Sequence, residues 1–234
     1  MTDEKDMERI FAKRGIDLGF REVTARYSQE CELKVGWRRI GGQIDFWVSD
    51  YLRNAPEDVM RDLAETIYSK IAMDHDVPYT PVVLEYLNDP SFVAENQETY
   101  VGRLDGLSPG PWGRHKDLCD SLARLEDARL GIEIPHLFVG WLPMMDSNCI
   151  GHSSALMKTV CLTRRLDASF VEDEMLDFCL YSQLAFVSLE YGMPGWERDE
   201  KFRDMLLGYP HGSELLGKLR RMGFRMTRDV SPEC

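Results

Sequence analysis

No apolar run in the chain reaches the roughly 20 residues that a membrane span needs. The longest, around Phe178 to Leu189, is interrupted by Ser182 and Gln183. The opening residues, Met1-Thr2-Asp3-Glu4-Lys5-Asp6, lack the basic start and apolar stretch of a secretory signal, so a cytoplasmic location is expected. No Cys-x-x-Cys pair occurs among the six cysteines, Cys31, Cys119, Cys149, Cys161, Cys179 and Cys234. Several sit in apolar runs, where a thiol behaves as a small hydrophobe, and reduced thiols are expected. Histidine is scarce. No two of His75, His115, His136, His152 and His211 are three to five residues apart, which excludes a helix-borne metal pair. Neither phosphate-cradling glycine pattern, Gly-x-x-x-x-Gly-Lys or Gly-x-Gly-x-x-Gly, is present. Cations are outnumbered too: 28 Lys and Arg stand against 40 Asp and Glu, and the net charge of −12 would repel nucleic-acid phosphates.

What is present is the composition of a globular protein, 44% hydrophobic and 29% charged in 234 residues. Cys31 to Trp37 and Gln43 to Val48 alternate apolar and polar residues around Gly41-Gly42, which predicts a hairpin. The period then changes, and Val59, Met60, Leu63, Ile67 and Ile71 follow Pro56-Glu57-Asp58 at helical spacing as far as Met73. Short helices are expected at 81–87 and 91–100, separated by prolines, and a longer one at 116–130 after the loop 106–113. Residues 137–141 and 157–162 read as strands. Ser169-x-x-Glu172 has capping-box spacing before a helix over 170–191 that is apolar nearly all round and belongs at the centre of a core. Helices over 201–207 and 213–222 close the chain.

The two ends of the chain share an order. Val35-Gly36-Trp37 recurs as Val139-Gly140-Trp141, and in each half a strand ends in a hydroxyl, Ser49 or Thr163. A leucine follows three residues on, Leu52 or Leu166, and then an acid-rich helix start leading to Met60-x-Asp62 or Met175-x-Asp177. A repeat at about 100 residues points to two related halves. Strand, turn and helix is also the commonest local grammar, so independent origin stays open.

From Met157 to Phe186 the chain resembles the core of the SprT-like and YgjP-like zinc metallopeptidases, a minimal, gluzincin-like zincin. In those families a strand ending in a hydroxyl, then a leucine, leads into a helix bearing His-Glu-x-x-His, often after a tyrosine. The counterparts are Val160-Cys161-Leu162-Thr163, Leu166 and Tyr181-Ser182-Gln183-Leu184-Ala185-Phe186. Two His at i and i+4 reach one zinc from one helix face, and the Glu between them activates the bound water. Ser182 and Phe186 stand at the two His positions, Gln183 at the Glu position, and Arg198 where a third ligand is expected. Phenylalanine does not ligate zinc, glutamine is no proton acceptor, and a fixed guanidinium opposes a cation. The corresponding positions of the first half are Ile67, Tyr68 and Ile71.

Other groups have plainer readings. Cys149-Ile150-Gly151-His152 has Cys-x-x-His spacing without a partner pair, Asp74-His75-Asp76 reads as a solvated turn, and Ser182 lacks a nucleophile elbow. Arg114, His115 and Lys116 follow the glycine-containing loop at an expected helix start, where backbone N–H groups suit an anion. Lys218, Arg220, Arg221, Arg225 and Arg228 form a basic C-terminal segment; the leading reading is a solvated helix end, with Arg220 and Arg221 as further anion candidates. Trp37, Trp47, Trp112, Trp141 and Trp196 read as core or groove fillers.

The expectation is therefore an α+β fold: a small sheet packed on a buried helix in 137–234, a linking region 106–136, and an N-terminal region 1–105 that repeats the core in divergent form. The resemblance implies a protein without catalysis, metal or cofactor that binds a protein or peptide partner, with Ser182, Gln183, Phe186 and Arg198 lining the vacated site. Two alternatives remain. One is an active metal-dependent hydrolase with ligands relocated to residues such as Glu190, Asp199 or His211. The other is a nucleic-acid-associated factor that uses the basic segment.

Overall fold

A computed structural model describes residues 3–73, 77–108, 110–143 and 148–225. They form an α+β protein with two small three-stranded sheets, and the chain divides into two compact units, Met1–Phe92 and Val93–Cys234. No helix of the described residues is long and apolar enough to cross a membrane.

The first unit opens with α1 (Glu4–Asp17), whose N-cap Asp3 accepts the Asp6 N–H at 2.8 Å and so satisfies a donor that the helix cannot. Met7, Ile10 and Phe11, at helical spacing, are its buried face. Strands β1 (Glu22–Ser28), β2 (Val35–Ile40) and β3 (Gln43–Ser49) assemble in the order β1-β3-β2, β1 parallel and β2 antiparallel to β3. A 3-10 turn, Asp50–Leu52, leads into α2 (Glu57–Met73), followed by α3 (Pro81–Asn88) and α4 (Pro90–Gly102), which spans the boundary between the units. Phe46 of β3 lies 4.8 Å from the Phe11 ring and 5.2 Å from that of Tyr68, so one sheet face carries the aromatic core. Burial raises the Tyr68 phenol above its ordinary value, and its hydroxyl donates to Phe11 O at 2.9 Å, tying α2 to α1.

The second unit has the same order of elements: α5 (Leu118–Asp127), β4 (Phe138–Leu142), β5 (Gly151–Ser154), β6 (Thr159–Thr163), a 3-10 turn Arg164–Leu166, α6 (Asp173–Ser188), α7 (Gly195–Gly208) and α8 (Gly212–Arg221). Its sheet runs β4-β6-β5, with β4 parallel and β5 antiparallel to β6. Each central strand ends at the expected hydroxyl, and Leu52 and Leu166 are both buried. The shared tripeptide, however, is not equivalent. Val139–Trp141 lies on the parallel strand β4, where strand register matches it to Ala25–Tyr27 of β1, whereas Val35–Trp37 lies on the antiparallel strand β2.

Three elements escaped the reading from residues: α1, with few apolar positions among many charges, β1, and β5, whose Gly-His-Ser-Ser carries no apolar alternation. Strand β2 starts at Val35 rather than Cys31, and α7 at Gly195 rather than 201. The Ser169 capping box does not form: α6 begins at Asp173 with Glu172 as N-cap and no side-chain cap bond. As expected, α6 is sunk in the core, with every residue from Met175 to Ala185 buried.

Candidate functional site

The α6 positions at which the resemblance expects metal chemistry are filled by groups that stabilise the helix or its neighbours. Ser182 is 0% exposed and donates its hydroxyl to Cys179 O at 2.7 Å, a bond back to its own helix. Gln183, 1% exposed, accepts at Oε1 from the Ser153 hydroxyl at 2.6 Å, so it links α6 to β5. Phe186 packs edge-on against Phe202 of α7, ring centroids 6.1 Å apart, and Arg198 donates to Met193 O at 3.2 Å. In the first unit, Ile67 and Tyr68 at the matching positions are buried as well.

The anion expected at the start of α5 is the protein's own Asp167. Backbone N–H groups of Arg114, His115 and Lys116 donate to its carboxylate at 2.5, 2.7 and 3.0 Å. Burial would raise this carboxyl, but the three N–H bonds outweigh it and hold Asp167 below the usual carboxylate range. Gly113 permits the approach: a Cβ there would sit 2.5 Å from Asp167 Cγ and 2.6 Å from Lys116 O. The Lys116 ammonium pairs with Asp173 at 2.5 Å, while the Arg114 side chain is exposed. Arg220 and Arg221 lie exposed in the last turn of α8, where cations complement the helix dipole, and Lys218 meets Glu172 at 3.5 Å.

Of the remaining candidates, His152 lies with Nε2 2.7 Å from the Tyr100 hydroxyl, Cys149 bridges to Arg225, and no three His, Cys, Asp or Glu side chains among the described residues group as metal ligands. Asp74-His75-Asp76, Arg228 and Cys234 lie outside the described residues. Cys31, Cys119, Cys149, Cys161 and Cys179 are not joined in disulfides. Trp141 is core and donates to Pro111 O at 2.7 Å, whereas Trp37, Trp112 and Trp196 are exposed.

An open cleft of 670 Å³ lies within the first unit, over the sheet face opposite Phe46 and α2. Thr24 and Arg26 of β1, Arg38 of β2, and Asp45 and Trp47 of β3 share this face by register, and Ser28 closes one end. Asp45 accepts the Thr24 hydroxyl at 2.8 Å and the Arg38 guanidinium at 3.1 Å, and these bonds lower its carboxyl below the ordinary value. Trp47 lies against Gly36, where a Cβ would come within 1.9 Å of Nε1, so only glycine lets the indole rest there. No ion pair joins Arg26 to any described residue, and the buried Ser28 Oγ has no hydrogen-bond partner among them. Reading from residues missed this cleft because β1 was not recognised. Its trace in the sequence is the polar half of the alternation in Thr24-x-Arg26-x-Ser28 and Asp45-x-Trp47.

No family model, curated protein or solved structure matches the chain.

Proposed function

We propose that this chain is a non-catalytic relative of the SprT-like and YgjP-like metallopeptidases, with a zincin-like core, that binds a protein partner by taking an extended peptide along the edge of β2. One observation carries the binding mode. Ser49 N–H donates to Lys34 O at 2.9 Å, so alternation turns Gly36, Arg38 and Ile40 toward β3 and leaves the main-chain groups of Val35, Trp37 and Arg39 facing outward. No described residue bonds to them. Such an edge is a template for an added strand, which gains main-chain hydrogen bonds without needing a metal. The non-catalytic half of the reading is supported by sealed Ser182 and Gln183 on α6, which offer a substrate no reacting group.

Two measurements test it on the full-length protein. Metal analysis with a casein-cleavage assay is expected to find neither stoichiometric zinc nor turnover; tightly bound zinc with peptidase activity would install the hydrolase in its place. Trp37→Pro removes an outward N–H and no ladder bond, so it is expected to abolish peptide binding while leaving the circular dichroism unchanged. Undiminished binding in that variant would rule out the β2 edge.

A further inference from the structure

The two units treat the same sheet face in opposite ways. In the second unit register places Gly140, His152, Thr159 and Cys161 on the face away from α6. That face is roofed. Leu107 lies against Gly140, where an added Cβ would be 3.3 Å from Leu107 Cδ1, and Thr159 and Cys161 are 0% exposed. The edge strand supplies a ring: His152 of β5 stands opposite the small Cys161 of β6, and its Nε2 meets the Tyr100 hydroxyl of α4 at 2.7 Å. The first unit exchanges the two residues. Its bond from Ser49 N–H to Lys34 O corresponds to that from Thr163 N–H to Ile150 O, so register makes Gly36 the counterpart of His152 and Trp47 that of Cys161. Here the ring comes from the central strand and the small residue is on the edge. Trp47 reaches across Gly36 with Nε1 foremost: that atom falls inside the space of a residue-36 Cβ, with Cε2 and Cδ1 2.5 and 2.7 Å from it. A ring nitrogen therefore stands at the same edge position in both units. In the second unit it has an oxygen partner. In the first, the Trp47 Nε1–H has no hydrogen-bond partner among the described residues and is not sealed from solvent.

We propose that Trp47 sets the specificity of the β2 edge: its indole N–H donates to the side-chain amide oxygen of a glutamine, carried by a partner's extended segment at the position opposite Gly36. The proposal rests on the peptide-binding reading above and adds its specificity. Val35, Trp37 and Arg39 turn their main-chain groups outward, so the residue of an antiparallel guest that faces Gly36 forms a non-hydrogen-bonded pair with it. Such pairs have Cα atoms about 4.5 Å apart and side chains at their closest. Gly36 has no side chain of its own, and the guest residue meets the indole instead. An apolar side chain there would cover the N–H and leave it unpaired, which weakens binding. A carboxylate gains little over an amide, because the neighbouring Arg38 already pairs with Asp45 at 3.1 Å. A second copy does not answer the indole. Gly36, Arg38 and Ile40, the β2 residues on this face, carry no side-chain acceptor, and two β2 strands would bring Arg38 and Arg39 of both copies into one seam.

The experiment titrates the full-length 15N-labelled protein with a blocked peptide of alternating valine and alanine that carries one central glutamine, and with its leucine counterpart, both ended by glutamates for solubility. Wild type is expected to bind the glutamine peptide about tenfold more tightly. Both peptides are expected to shift the amides of 35–40, and only the glutamine peptide to move the Trp47 Nε1–H cross-peak downfield. Trp47→Phe keeps a ring against Gly36 and removes the donor, so it is expected to bind the two peptides alike. Equal binding of both peptides by wild type overturns the role of the indole and leaves the edge reading in place. So does a Trp47 cross-peak that stays put while the 35–40 amides shift, a readout that needs no variant to fold. Unchanged discrimination in Trp47→Phe has the same meaning. Binding of neither peptide overturns both readings. Concentration-dependent self-association that Trp37→Pro abolishes would assign the edge to a second copy and end the proposal.

Discussion

At the scale of single residues, the contact around Asp167 gathers charge, backbone donors and a glycine into one place. Three backbone donors converge on one carboxylate, and the loop that carries them closes only because position 113 has no Cβ. Gly113→Ala is expected to lower the stability by about 1–3 kcal/mol, the range for forcing an extra carbon into filled space, read as a lower urea midpoint. Because the Asp167 pKa is lower in the fold than in the unfolded chain, its contribution is complete above the unfolded value near 4 and disappears as pH falls through the folded value below that. Asp167→Asn is thus expected to be less stable than wild type at pH 7 by about 2 kcal/mol, a charged acceptor's worth. The gap should close on acidification below about pH 4. A gap independent of pH between 7 and 2.5 would mean that the charge is not what the three N–H groups hold.

At the scale of elements, helices are tied to one another through a few specific bonds laid over apolar packing. Tyr68 ties α2 to α1, and Asp177 of α6 plays the corresponding part against α5, accepting from Ser121 and from Arg124 Nε at 2.8 Å and Nη2 at 2.7 Å. Tyr68→Phe deletes one hydroxyl and keeps the ring, so it is expected to cost about 1 kcal/mol in denaturant titration. Most helices were legible in the sequence, because the 3.6-residue period of α2 and the continuous apolar surface of α6 are written in consecutive residues. β5 was not, since its burial comes from what is laid over it and not from its own side chains.

For the whole molecule, the net charge of −12 opposes nucleic-acid phosphates, and of the basic candidates Lys116 and Lys218 pair with acids while Arg114, Arg220 and Arg221 are exposed. A fluorescein-labelled 20-base-pair duplex is expected to show no anisotropy change with micromolar protein at 0.15 M salt. Binding that weakens steeply with added salt would bring the nucleic-acid reading forward.

By itself the sequence determined the α+β class, the buried central helix and the hydroxyl-turn-leucine entry into α2 and α6, because these depend on local spacing and side-chain chemistry. Only the tertiary structure decided which residues answer to which in the two units. Strand register, a property of paired chains, matches Val139–Trp141 to Ala25–Tyr27, while the identical tripeptide at 35–37 sits on another strand. It also decided that the anion beside Arg114 and Lys116 is Asp167, some fifty residues away, and that one sheet face is roofed while its counterpart stays open. Closing such long loops is driven by burial of the whole core, and no window of consecutive residues records where the distant partner will land.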